Sequence, residues 1–481
     1  MRLFALPCRW FSRALAVVAP VLVLGACVSV QVPKLPTGDL PAHWRNAPQL
    51  GAEPDLTGWW KHFHDPELNR LVGRALKGNL DLAQAVWKLR AARALEEASG
   101  ADFKPQMAFS TTEHSNAANT ASFFQAGFDA TWELGLFGRS GASGHIAQAD
   151  SGAAEAELQS ARVSLVAEVV REYLQLRAAQ RSEALLDTAA QAARRKVALL
   201  RVRERLQLAS KLDVERSRAA AAKAESQLAD PRAAIVQHAQ ALALLLGKSE
   251  PEPAWLKPGP LPELEASHMA PLPADLLRTQ PEIHYAETQV LKAAGELGIA
   301  KASMYPRLEL AGGLTFASRI LGHDRLGDSH GIAGIGPVID IPLFDWGRRR
   351  ALRNARADLL QAALIGYRKA VLKGADQVEA DLASLHASGQ RVQYANTAVG
   401  AYERGLSLSK TLQGLGEADA MDLVDARLAL SQSELGRVQA RLEYGLAFVS
   451  LYKALGGAPL PKHVTAPADA SAGAAHQGSG S

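Results

Sequence analysis

Residues 124–136 read Phe-Gln-Ala-Gly-Phe-Asp-Ala-Thr-Trp-Glu-Leu-Gly-Leu. Every even position is apolar (Phe124, Ala126, Phe128, Ala130, Trp132, Leu134, Leu136), while Gln125, Gly127, Asp129, Thr131, Glu133 and Gly135 fill the odd ones. Strict period two over this length predicts a long β-strand with one apolar and one polar face. The pattern returns where Ile335, Pro337, Ile339, Ile341 and Leu343 alternate with Gly336, Val338 and Asp340. Each stretch has an earlier partner, near Met107 to Thr112 and near Leu308 to Ala317. A half-buried soluble sheet shows the same alternation in any single strand. Here the strands are long, Gly-rich and isolated among helices. Four cannot close a barrel, which needs about eight or more, so if they face lipid the chain must oligomerise.

The recurrence belongs to a duplication of the whole chain. Leu136-Phe137-Gly138-Arg139 answers Leu343-Phe344-Asp345-Trp346-Gly347-Arg348, with the Leu-Phe pairs 207 apart. Pro105-Gln106 answers Pro306-Arg307, Asp213-Val214 answers Asp422-Leu423, and Leu246-Gly247 answers Leu455-Gly456. The expected organisation is a signal peptide over 1–26, a first repeat over 27–247 and a second over 276–457. The first repeat holds a strand pair near 107–137 and a helical hairpin over 139–247, and the second a strand pair near 307–344 and a hairpin over 347–456. Residues 248–275, with seven prolines between 251 and 273, form an irregular crossover, and 458–481 a disordered tail rich in Ala, Gly, Ser and His.

No proline interrupts 139–206 or 347–412. Each run as one helix would span on the order of 95 Å at 1.5 Å per residue. In the second, Leu364, Val371, Val378, Leu385, Val392, Val399 and Leu406 recur every seventh residue, and the first carries a weaker ladder of Leu158, Leu165, Ala179, Leu186, Ala193 and Leu200. This is coiled-coil periodicity. Return helices are expected near 212–246 and 420–455, the first interrupted at Asp230-Pro231.

At the N-terminus Arg2, Arg9 and Arg13 precede an apolar run from Ala14 to Leu24, too short to cross a membrane as a helix. The run ends in Leu24-Gly25-Ala26-Cys27, a lipobox that makes Cys27 the lipid-bearing N-terminus of the mature chain. Several acyl chains on one cysteine give a stable anchor. Val28 in place of an aspartate after the cysteine points to the outer membrane. No later stretch is apolar enough for a transmembrane helix. Composition agrees: of 481 residues 48% are apolar, but only 6% aromatic, which suits long helices packed through small side chains and disfavours a compact enzyme core. A net charge of +4, falling to +1 once three arginines leave with the signal peptide, is too small over this length to imply a nucleic-acid surface; two cysteines exclude a disulfide scaffold and a Cys-based zinc site.

Signals for chemistry are weak. Gly327-Asp328-Ser329-His330-Gly331 fits G-x-S-x-G, but in a polar stretch between two predicted strands a surface loop is the better account than a nucleophile elbow. His62-x-His64-Asp65 lacks metal-ligand spacing and reads as a surface cluster. Arg194, Arg195, Lys196, Arg201, Arg203 and Arg205 form either a solvated helix face or a protein-docking surface. With no nucleotide-binding motif, any energy must come from a partner.

The lipobox, the duplicated units, the Leu-Phe and Gly-Arg landmarks at the strand-to-helix junctions, and Asp65-Pro66-Glu67-Leu68-Asn69-Arg70-Leu71 leading to Asn79-Leu80-Asp81-Leu82 resemble the TolC family over residues 24–457. Within it they are most similar to the NodT-type lipoprotein branch of outer-membrane efflux factors. The resemblance implies a mainly α protein with a membrane β-barrel: a homotrimer sharing a 12-strand barrel, four strands per chain, continued by a periplasmic α-helical tunnel. It further implies a non-enzymatic exit duct of a tripartite efflux system, partnered by a membrane-fusion adaptor, an inner-membrane RND-type pump and outer-membrane lipid. No nucleic acid, metal or cofactor is expected beyond the lipid on Cys27. Protein secretion and a poreless lipid-anchored coiled-coil scaffold are the alternatives. Asp422-Leu423-Val424-Asp425 is similar to the aspartate pair of the family's periplasmic aperture, where three chains would gather six carboxylates. Asp213 and Arg216 stand at the matching place of the first repeat, within reach of a contact from Arg216 to those acids. Solvated helix-start acids complementing the dipole are the alternative reading of both aspartates. Gln413 and Ala418 replace the tyrosine and arginine with which some relatives latch the closed state.

Overall fold

The computed structural model describes residues 32–35, 44, 56–114, 123–264, 280–321 and 325–458, with the backbone alone at 114, 123, 319–321 and 325–330. The lipobox with Cys27 and the tail after 458 lie outside the described residues. A short 3-10 helix, Trp59–Phe63, leads into α1 (Pro66–Gly78) and α2 (Leu80–Ala101). Strands β1 (Gln106–His114) and β2 (Phe123–Glu133) follow, then α3 (Arg139–Arg205), α4 (Lys211–Ser226) and α5 (Ala229–Leu245). The order then repeats as α6 (Pro281–Ala302), β3 (Arg307–Leu321), β4 (Arg325–Asp340), α7 (Arg348–Leu415) and α8 (Ala420–Ala454).

The duplication is tighter than residue identity indicates. Positive φ occurs at Phe137 and Trp346 (both 56°), Gly138 and Gly347, Gln207 and Gly416, and Gly247 and Gly456, each pair 209 residues apart. The helix starts Arg139 and Arg348 keep the same spacing. Matching Leu136-Phe137 to Leu343-Phe344 therefore mis-sets the junction by two residues: the backbone equates Phe137 with Trp346. Upstream, α2 and α6 are both 22 residues long and lie 201 apart. The difference is taken up by the longer second hairpin and by two residues inserted at the junction.

The strands make one antiparallel sheet in the order β1-β2-β3-β4, so its two edges belong to different repeats. Registers Phe109↔Phe128, Phe128↔Leu314 and Leu314↔Ala333 align the apolar positions on one face. On it Phe109 and Phe128 pack at 5.0 Å, and Met107, Phe316 and Ile335 are exposed. Trp132 shares this face and its Nε1 donates to the Phe103 carbonyl at 2.9 Å. The other face carries Gln106, Gln125, Thr131, Glu309 and glycines, with Ser110 Oγ donating to Asp129 at 2.8 Å. Ile332 and Val338 are large apolar exceptions on it. Residues 327–331 lie within β4, with 329–331 paired to β3 and 327–328 in a register shift of the ladder, so the expected surface loop is corrected to strand. A nucleophile elbow needs a sharp strand-to-helix turn, which a strand continuing to Asp340 does not offer.

The chain divides into two compact units, residues 1–37, 88–155 and 284–369 against 38–87, 156–283 and 370–481, each built from both repeats. The cause within the first is the β2–β3 pairing, which joins the repeats in one sheet. Its helices pack through Val290, Ala294, Leu297 and Leu360. In the second unit none of the seven-residue ladder positions from Val371 to Leu406 is exposed, and Val378, Leu385 and Val399 are buried. Asp65 caps α1, accepting from the amides of Glu67 (2.8 Å) and Leu68 (3.1 Å), with Pro66 at the first helical position. Trp59, fully buried, stacks on Tyr452 and donates from Nε1 to Gly457 O at 3.0 Å, fastening the 3-10 helix before α1 to the residues that follow α8. The return-helix break falls at Gln227-Leu228, not at Asp230-Pro231. Pro231 sits in the first turn of α5, where the amide it lacks would have no intrahelical partner. No described helix is long and apolar enough to cross a membrane.

Candidate functional site

The carboxylates singled out from sequence lie where the long helices turn into their return helices. Gln207 and Gly416 take positive φ, and the amides of Leu208 and Glu417 close the helix ends onto Arg203 O (2.7 Å) and Leu412 O (2.9 Å). Two residues later each return helix begins with a capping box. Ser210 accepts from the Asp213 amide at 3.1 Å, and Asp213 accepts from the Ser210 amide (3.1 Å) and hydroxyl (2.6 Å). In the second repeat Asp419 accepts from the Met421 amide and Asp422 from the Asp419 amide at 3.0 Å. Asp213 and Asp422 are thus equivalent third-position caps. The Ser210 hydrogen bonds hold Asp213 below the usual carboxylate range, and the charge of Arg216 acts in the same direction.

Asp422 and Asp425 are both exposed. Asp425 receives Lys196 Nζ from α3 at 2.6 Å, and Asp419 receives Arg203 from the same helix at 2.9 Å. A third pair, Arg194–Glu225 at 2.9 Å, ties α3 to α4. Beneath them Ala193, Val197 and Ala221 form a buried cluster joined by Leu428. Arg216 is exposed and makes no ion pair among the described residues, so within one chain α3, not Arg216, supplies the cations that meet the second-repeat acids. The basic run splits: Lys196, Arg203 and Arg194 are engaged, whereas Arg201 and Arg205 join Lys211 and Arg218 around a groove of about 830 Å³ between α3 and α4, opposed by Glu204 and Glu215. Leu206, Leu208 and Leu212 are exposed beside it. Sequence reasoning missed Lys196 and Arg203 as partners, because a pairing 229 residues apart depends on which helices pack. The arrangement presents exposed carboxylates that can attract cations.

A family model described as outer membrane efflux protein matches residues 71–248 and 272–457. The chain is 27% identical over 465 residues to the pyoverdine export outer membrane protein OpmQ of Pseudomonas aeruginosa, covering 92% of this chain and 97% of that one. It is 26% identical over 484 residues to nodulation protein T of Rhizobium leguminosarum bv. viciae, covering 96% and 97%. Among solved structures, the open state of the Neisseria gonorrhoeae MtrE outer membrane channel is similar with a TM-score of 0.78 and 25% identity, covering 89% of this chain and 98% of that one.

Proposed function

The chain belongs to the outer membrane efflux protein family, and on that footing we propose a passive exit duct in which three copies close one barrel of 12 strands. Small solutes pass from an inner-membrane RND-type pump and a periplasmic membrane-fusion adaptor through its lumen, without covalent chemistry. The sheet carries this reading: it has a continuous apolar face and two edges, β1 and β4, with no strand beyond them among the described residues. In hydrocarbon each unpaired backbone group costs several kcal/mol, so open edges must be paired by further copies. The apolar face, with Phe128 and Trp132, then meets lipid, and the face with Asp129 lines the lumen.

Asp422 and Asp425, with Asp213 and Arg216 of the first repeat, form the periplasmic aperture in this proposal. Lys196 and Arg203 compensate part of its acid and hold α8 against α3. The groove bounded by Arg201, Arg205, Lys211 and Arg218 suits an acidic segment of the adaptor. Acyl chains on Cys27 fix the assembly to the outer membrane. Light scattering of detergent-purified protein tests the closure. A mass of three chains is expected, and a stable monomer refutes it.

A further inference from the structure

Leu343, Phe344 and Trp346 are 90%, 76% and 90% exposed, directly after the edge strand β4. Phe344 and Trp346 pack on each other at 4.8 Å. An apolar cluster this open marks an interaction surface. The matching segment of the first repeat is covered. Phe137, which shares the positive φ of Trp346, stacks on Tyr305 with ring centroids 4.9 Å apart and planes at 10°. Close by, the Leu134 amide donates to Leu308 O at 3.2 Å. The cover is the turn between α6 and β3.

The duplication identifies what covers the second junction. Tyr305 N donates to Ala302 O at 3.1 Å in the α6–β3 turn, and Lys104 N donates to Ala101 O at 3.0 Å in the α2–β1 turn, so the two turns are equivalent and Lys104 stands where Tyr305 does. Within one chain β1 and β4 are opposite edges of the sheet, and the α2–β1 turn can reach β4 only from another copy.

We propose that the segment from Ile341 to Trp346 is the docking surface for the α2–β1 turn of a second copy. The partner subunit's Lys104 lies over the Trp346 ring as Tyr305 lies over Phe137, and the Ile341 amide donates to the carbonyl of the partner subunit's Met107 as Leu134 donates to Leu308. A ring stack becomes a cation–π contact, which a buried indole favours. The strand register supports this independently. Carrying the Glu133↔Glu309 pairing over to the free edges sets Asp340 opposite Ala108 and Ile339 opposite Phe109 of the next copy. The apolar face then continues across the joint, whereas a slip of one residue would turn Met107 and Phe109 to the polar side. The contact rests on the oligomeric closure proposed above and adds its residues and register.

The test places cysteines at both positions, Lys104→Cys with Trp346→Cys, in the full-length chain, and oxidises the detergent-purified protein. The expected product is a covalent trimer on a non-reducing denaturing gel, with each single variant remaining a monomer band. A trimer by light scattering that forms no cross-link overturns the contact and leaves the closure standing; wild type that is a monomer by light scattering overturns both. If the double variant fails to assemble, wild type supplies the second reading. The emission of Trp346, taken as the difference between wild type and Trp346→Phe, should resist quenching by both acrylamide and brominated detergent in the trimer. Strong quenching by either one overturns the contact.

Discussion

Replacing Asp422 and Asp425 by asparagine separates charge from helix capping. Asp422 closes the capping box of α8 through the Asp419 amide at 3.0 Å, and an asparagine oxygen can accept the same bond. Alanine cannot, and losing a cap of this kind costs about 0.5–2 kcal/mol. The Asp425–Lys196 pair is half exposed on its acid side, so breaking it costs roughly 0–1 kcal/mol. Asp422→Asn/Asp425→Asn should therefore melt close to wild type while removing two negative charges per chain. For a cation passing at 4 Å, one carboxylate is worth about 1 kcal/mol in a water-like medium. The cation-to-anion permeability ratio should accordingly fall by about fivefold or more. Lys196→Met should shift the ratio the other way by freeing Asp425. Reversal potentials in salt gradients, read beside thermal melts, measure both quantities. An unchanged ratio in the asparagine double variant, with Lys196→Met also silent, would show that the aspartates are only helix-start acids.

Trp59→Ala removes a fully buried indole and its bond to Gly457 O, which should cost about 3–5 kcal/mol and expose the C-terminal end of α8 to limited proteolysis. Gly295→Val drives a side chain into Ile146 Cγ1 and Ala142 O, which a Cβ at 295 meets at 2.7 and 2.8 Å; about 1–3 kcal/mol of overpacking should appear as a lower melting temperature. Glu252 is held down to about 2 by hydrogen bonds from Arg74 and then Lys248. A depressed carboxylate stabilises the fold above its ordinary value of 4.5 and loses that contribution as pH falls through about 2, so acidification between these limits should destabilise wild type more than Glu252→Gln in parallel melts. Mass spectrometry of the mature N-terminus should find Cys27 first and acylated; an unmodified N-terminus starting elsewhere would refute the anchor.

The sheet and the long helices were readable because each rests on a pattern local to one segment: alternation over 124–136, and uninterrupted runs ending in turn residues. Equivalence between repeats was readable at Asp213 and Asp422, which hold the same capping role. It misled at the junction, where the shared Leu-Phe drew the match two residues away from Phe137 and Trp346. Positive φ at a phenylalanine and a tryptophan leaves no compositional mark, unlike the glycines beside them. The G-x-S-x-G stretch looked like a loop because its polar, Gly-rich composition outweighed strand propensity, yet pairing with β3 makes it strand. Lys196 and Arg203 could not be distinguished from their basic neighbours, since the choice among six cations is made by the packing of α3 against α8.

Recording from the purified full-length protein in planar lipid bilayers tests the central claim most directly. A trimeric barrel with an acidic aperture predicts discrete conductance steps, cation-selective and blocked by multivalent cations from the side that exposes the aperture. Protein that incorporates into the bilayer and gives no conductance under any polarity or salt would contradict the duct.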